Sequence, residues 1–504
     1  MLKMVDGTGI IGVDMVCPLG ISTPQPPNYD KVEMEGVGSL MLPNSLKAPL
    51  ERVELIGNSV QGENPAPENP QEIKSAGRKS KNLFDINYFK DKSNLKMLQC
   101  EGFTLLGIIC NVKPNTEYTL SANLTEAKYN LNIANKTKRF SLTSAPSRTL
   151  TSNDDGTLYI GLFNTTADLI NMDDFMQQYK NIQLEEGNKT DYEPYSDKYL
   201  LNVKVNGKNL FDQSKLISGF INMTTGAFEE SANTLFANSL ILDKPILLKS
   251  GQTLVTSVDN KYAQNFLRYR TYRKDGTFLI NNEPISFSYK ATEDLYVIAL
   301  FYNGMSEEDK KSLQIEISDD PTTYEPYTEQ SVQITLDEPL RGIGEYKDTI
   351  TKDGVIRKIK RVVFDGSEDE KWGIAIEREN VINFVSTQFS DAIKINEHQR
   401  TMMDKLKWSS GVWGRDEVGQ DMFARILRMN MPKTLTPDLQ TFKTWLSQNP
   451  LTVDYVLAEP ATEPLPGSVQ AQLQALHSEN GTTHVFVDSG EVPCGIKLTY
   501  RKEK

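Results

Sequence analysis

The sequence has little of what metal and nucleophilic sites are built from: 504 residues contain 3 histidines and 4 cysteines. His398, His477 and His484 fall in no HExxH or Cys/His spacing that would hold zinc, and read as isolated surface or strand histidines. Cys17, Cys100, Cys110 and Cys494 are too sparse for a disulfide scaffold; Cys100 and Cys110 either meet across neighbouring strands or stay as buried thiols. No GxSxG, P-loop or dinucleotide-binding pattern occurs. No metal and no cofactor is expected, and the chain does not read as an enzyme.

Long apolar runs are missing as well. No stretch approaches the ~20 apolar residues that cross a bilayer, so no membrane insertion is expected. Asp6 and Asp14 interrupt the run around Ile10 to Val16 behind Lys3, which leaves no usable secretion signal. Positive charge is in deficit: the formal net charge of -12 argues against nucleic acid, whose phosphates need clustered Lys and Arg. The hydrophobic share of 38% suffices for several small cores and argues against one large one.

What is there is repetition. Lys81 to Asp85 reads KNLFD, and Lys208 to Asp212 repeats it letter for letter. Each copy leads to a second shared phrase, YEPY, at Tyr192 to Tyr195 and again at Tyr324 to Tyr327. The same phrases in the same order mean a duplicated module. Between them the first copy has period-two strands (Tyr118, Leu120, Ala122), an Asp155-Gly156 turn, the apolar run LYIGLF from Leu158, an acidic helical turn at Asn171 to Phe175 and a last strand at Ile182 to Glu185. The second copy repeats that grammar with LYVIALF from Leu295, a Ser306 to Asp309 helix start and a strand at Leu313 to Glu316. The YEPY tyrosines read as structural closures.

Residues 1–78 are proline-rich and predict an extended N-terminal arm, with one strand at Leu50 to Ile56 turning Val53 and Leu55 inward. Residues 79–200 and 201–330 are the two sandwich modules, and residues 331–504 a β-rich region with a divergent third module. In that last part Asp353-Gly354 predicts a hairpin and Ala424 to Met429 a strand. Thr436-Pro437 predicts a helix start, with Leu439, Phe442 and Leu446 on one face, and Asn449-Pro450 its end. The expected fold is all-β: tandem jelly-roll sandwiches of the carbohydrate-binding-module kind, with short helical turns.

Four phrases carry a family resemblance: GNSVQGENPAPENPQEIKSAG from Gly57 to Gly77, the two KNLFD openings, EPLRGIGEYKD from Glu338 to Asp348, and WLSQNPLTVDYVLAEPATEPL from Trp445 to Leu465. Through them the chain resembles the modular tail proteins of phages and prophages of Gram-positive bacteria: tail-fibre, baseplate and receptor-binding components. The resemblance implies a virion structural protein, commonly a homotrimer, assembled in the host cytoplasm. Its partners would be other tail or baseplate proteins, met through the N-terminal arm, and host cell-surface polysaccharide. A tail-associated glycan hydrolase and a bacterial surface adhesin are the alternatives.

Sugar recognition uses flat rings and planar polar groups, and all four tryptophans (Trp372, Trp408, Trp413 and Trp445) fall in the last third of the chain. Trp445 reads as core. Trp408 and Trp413 flank Ser409-Ser410-Gly411, with Arg415, Asp416 and Glu417 following. That stretch is either a saccharide site built on Trp408, Trp413, Arg415 and Asp416, or a turn pinned by two buried indoles. The acidic run Asp365, Glu368, Asp369 and Glu370 beside Trp372 reads as a solvated turn rather than a hydrolytic or calcium loop.

Overall fold

A nine-residue antiparallel ladder joins strand Tyr29–Val37 to strand Gly495–Glu503, in register from Tyr29 opposite Glu503 to Val37 opposite Gly495. The computed structural model describes residues 4–6, 9–11, 28–126, 128–229, 239–243, 245–257, 267–279, 288–301, 306–394 and 399–504. Asp14, Cys17, Pro18, Pro24, Pro26, Pro27 and His398 lie outside them. Nearly all of the described elements are antiparallel strands, with a few short helices, so the protein is all-β.

The ladder belongs to a 12-stranded sheet whose central path runs Glu329–Leu336, Tyr199–Asn206, Gly481–Asp488, Ser39–Ser45, Gly495–Glu503, Arg52–Ile56, Thr349–Thr351, Gly354–Phe364, Leu451–Glu463, Thr401–Met403. The expected arm is therefore corrected from residue 29 onward. Strands Tyr29–Val37, Ser39–Ser45 and Arg52–Ile56 are built into this scaffold, and Leu40, Leu42, Val53 and Leu55 join one core with Val203, Val485 and Leu498. The physical reason is partner distance. Alternation marks these strands locally, but their ladders form with residues hundreds of positions later. Proline does not break the arrangement, because Pro43 sits where the register shifts between Leu42 and Ser45.

The scaffold is discontinuous. One segment is inserted between its strands Arg78–Lys79 and Tyr199–Asn206, a second between Tyr199–Asn206 and Glu329–Leu336, and a third between Gly354–Phe364 and Leu451–Glu463. The first two are built alike. The first has a five-stranded sheet (Lys96–Cys100, Phe103–Asn111, Thr157–Phe163, Leu131–Ala134, Arg139–Ser141) against a three-stranded one (Ser147–Thr151, Glu117–Leu124, Tyr179–Glu186). The second orders Leu216–Ser218, Leu240–Leu242, Leu295–Phe301, Leu267–Arg273 and Phe278–Leu279 the same way, against Ser288–Lys290, Thr253–Ser257 and Gln314–Ile317. LYIGLF and LYVIALF are the central strands of the two larger sheets. Asp275-Gly276 does close a hairpin between Leu267–Arg273 and Phe278–Leu279. Asp155-Gly156 does not: the strands on either side of it belong to opposite sheets.

The repeated phrases are the locks of these sandwiches. Asn82 of the first KNLFD donates to the carbonyls of Ile182 and Glu193 and accepts from the amides of Phe84 and Leu184. Asn209 makes the same four bonds with Leu313, Glu325, Phe211 and Ile315. Gln183 bonds Glu185, which accepts from Thr190; Gln314, Glu316 and Thr322 copy that chain. The asparagines, Gln183, Glu185, Gln314 and Glu316 are all buried, so each bond satisfies a group that water cannot reach. Three of the four YEPY tyrosines, Tyr192, Tyr195 and Tyr324, are exposed and do not close the fold; Tyr327 alone is half-buried and bonds Asn206 and Glu329. The backbone of Glu193 and Glu325 closes the fold.

The third insertion departs from the expected third module. It has one four-stranded sheet, ordered Trp372–Glu377, Val381–Ser386, Ile426–Pro432, Gly419–Phe423, and the helix Leu439–Gln448 packed through Phe442 and Leu446. Phe442 stacks face to face on Phe384 at 4.0 Å. The helix starts later than Thr436-Pro437 suggests: Asp438 is the cap, accepting from the Thr441 amide. Ala424 and Arg425 are turn residues with positive φ, and the strand begins at Ile426. Cys100 and Cys110 do not meet, for they lie opposite Phe103 and Leu158.

His484 is buried in the scaffold strand Gly481–Asp488, opposite Met41 on one side and Asn206 on the other. Burial lowers its pKa from 6.5 to about 4, so the folded protein holds it neutral. A base with a depressed folded pKa stabilises fully above its unfolded value. That stability is then lost as pH falls from about 6.5 to about 4. The loss amounts to about 3 kcal/mol at ~1.4 kcal/mol per pKa unit. Denaturant melts across this range are expected to show the loss in the wild type and a shallower profile in His484→Phe.

Candidate functional site

The loop 407–418 lies over the four-stranded sheet of the third insertion and is held from beneath by buried polar groups. Asn430 is fully buried, and its Nδ2 lies 2.9 to 3.0 Å from the carbonyl oxygens of Val412, Arg415 and Glu417. Asn383, across the ladder, donates to Asn430 Oδ1 at 2.7 Å. Asp421 accepts from the amides of Gly411 and Val412, both at 3.1 Å, and holds Arg428 in a bidentate pair at 2.5 Å. Gly411 has φ of 73°, the left-handed backbone that starts the tight turn Val412–Gly414.

This frame decides where the four sequence-derived residues stand. Trp413, at the crest of the turn, is 43% exposed. Trp408 is half-buried and bridges Gln420 through its backbone. Arg415 is exposed and reaches Ser409 Oγ at 3.4 Å, which closes the loop on itself. Asp416 is occupied. Its carboxylate accepts from Asn380 N at 3.0 Å and from Asn380 Nδ2 at 2.7 Å, and the Asn380 amide above all holds its pKa below the usual value. Arg378, from the same turn, donates to the Trp413 carbonyl. The outward-facing groups are thus the Trp413 ring and the Arg415 guanidinium, while Asp416 positions the loop.

Asp421, Asn430, Asn383, Arg378 and Asn380 were not legible as parts of this site. Each sits in or beside a strand, 8 to 35 residues from Trp413 along the chain, and no spacing marks it. The other tryptophans are core. Trp372 is buried against Phe364 and Phe442, and Trp445 packs in the same cluster.

The acidic run beside Trp372 is a folded turn. Glu370 is buried and accepts from Trp372 Nε1 at 2.6 Å and from the amides of Asp365 and Gly366, and burial raises its pKa. Among the described residues no cluster of His, Cys, Asp and Glu is arranged to hold a metal ion, and no helix is long and apolar enough to cross a membrane.

The remaining sequence phrases meet at a junction in the scaffold. Asp454 is fully buried and holds Arg361 through both carboxylate oxygens, at 2.6 and 2.8 Å. Arg361 also donates to the Ile73 carbonyl. Asp348 accepts from the amides of Arg341, Lys358 and Ile359, with Arg357 beside it at 3.4 Å. Gly57 packs against Arg341, where a Cβ would fall 2.6 Å from the backbone oxygen. Residues 57–77, 338–348 and 445–465 thus meet at one junction of the scaffold. Comparison with family models, with curated proteins and with solved structures returned no match for this chain.

Proposed function

We propose that this chain is a structural and adhesive component of a phage or prophage tail, in a fibre or baseplate, and that its loop 407–418 contacts glycan on the host surface. The observation that carries the adhesive part is Trp413: an exposed indole, with a guanidinium alongside, on a backbone anchored by Asn430 and Asp421. A ring held in place before binding loses little freedom on binding, so its stacking on a pyranose is retained as affinity. The tail part rests on the four phrases and on two like sandwiches strung through one scaffold, an architecture suited to reach and rigidity. In this reading the chain assembles as a homotrimer, joins other tail proteins through its N-terminal segment and carries no catalysis.

Trp413→Ala is expected to weaken binding to purified Gram-positive host cell walls by ten-fold or more at an unchanged melting temperature. Unaltered binding removes the loop from the reading. Mass measurement in solution is expected to give three copies per particle; a monomer at working concentration refutes the assembly.

A further inference from the structure

Between the second sandwich and the scaffold lies a cleft of about 840 Å³, within the size range of small-ligand sites. One wall is the outer face of the scaffold sheet, where Asn202 and Lys204 stand beside His484 and Phe486, with Met41 on the next strand. The opposite wall is the sandwich's Leu242 to Lys249 edge and Tyr296. Gln252 donates across the cleft to the Met41 sulfur at 3.7 Å.

The cleft holds polar atoms that the protein leaves without partners. His484 is 3% exposed, yet its Nε2 makes no hydrogen bond, and the shielded Oδ1 of Asn202 makes none either. Such groups cost free energy unless something in the cleft bonds to them. At the end where the sandwich joins the scaffold, Tyr327 donates to Glu329 at 2.6 Å and accepts from Asn206 at 2.8 Å, and Lys204 pairs with the same Glu329. This tyrosine is the last residue of the second YEPY. Its counterpart Tyr195 in the first copy is exposed.

The charges lining the cleft are balanced, four lysines against four carboxylates, which disfavours a phosphate or a polyanion. Flat rings (Phe486, Tyr296, Tyr327) combine with unpartnered amide and imidazole atoms. We infer that this cleft is a second carbohydrate site, taking a short neutral oligosaccharide whose hydroxyls bond Asn202 and His484 while its rings lie on Phe486 and Tyr296. The inference is independent of the loop 407–418 and of the tail assignment.

The test uses the full-length chain and a panel of neutral trisaccharides (maltotriose, cellotriose and chitotriose), read by saturation-transfer NMR and calorimetry. At least one is expected to bind, with Phe486→Ala and Tyr296→Ala, from opposite walls, each weakening it ten-fold or more. Leu169→Ala, at an exposed position of the first sandwich, should leave that binding unchanged. Asn202→Leu, which removes the amide while keeping a side chain of similar size, gives the same reading should either truncation fail to fold. Binding of none of the three sugars overturns the inference. So does binding lost with Trp413→Ala and kept with Asn202→Leu, which assigns the sugar to the loop instead.

Discussion

Asn82→Ala is expected to cost the first sandwich about 4 kcal/mol, four buried bonds at about 1 kcal/mol each. The loss would be local. Asn82 ties the module's opening phrase to its last strand, Tyr179–Glu186, and to the backbone of Glu193, so removing it unfastens both ends of one sandwich. Hydrogen exchange read by mass spectrometry should show residues 84–184 losing protection while residues 211–317 and the scaffold keep theirs. Asn209→Ala should do the converse, because its four bonds are the same and lie in the second sandwich. Equal exchange across both modules in either variant would mean that the sandwiches unfold together with the scaffold and that the asparagine is not a local lock.

Asp454→Ala should destabilise the scaffold by about 3 to 5 kcal/mol, the usual cost of removing one partner of a buried ion pair. Asp454 has no exposed surface and Arg361 is three-quarters buried, with Arg341 at 3.9 Å on the same carboxylate. Without it the two guanidiniums face each other in a site that water enters poorly. Replacing both partners, Arg361→Met with Asp454→Leu, should recover most of the loss, since two apolar side chains need no counter-charge. Thermal melts of the single and double variants check this. A double variant no better than Asp454→Ala would show that the bond to Ile73 and the geometry of the junction matter more than the charge.

The duplication was legible because its marks are short phrases repeated in order: KNLFD opens each module and YEPY follows its last strand. The acidic helical turn at Asn171 to Phe175 and the cap at Ser306 were legible because such signals reach only two or three residues. The arm was misjudged because Ser39–Ser45 and Arg52–Ile56 bury their alternate residues against strands at the far end of the chain. In the third insertion the start of the strand was misplaced because Ala424 and Arg425 take the left-handed turn before Ile426.

For the loop, composition pointed to Trp413 and Arg415, whereas the role of Asp416 came from its contact with Asn380. The two readings of the indoles divided between them: Trp413 is exposed and Trp408 half-buried. Asn430 and Asp421 look like ordinary strand polar residues until the loop is folded over them.

By itself the sequence determined the all-β class and the two like modules, because those features rest on period-two alternation and on short phrases repeated in the same order. The tertiary structure alone decided that residues 29–56 and 481–503 share one sheet, that three of the four phrases meet at one junction, and that a cleft opens beside His484. Ladder pairing and buried-charge pairing are satisfied through space, and residues hundreds of positions apart leave no local period to read.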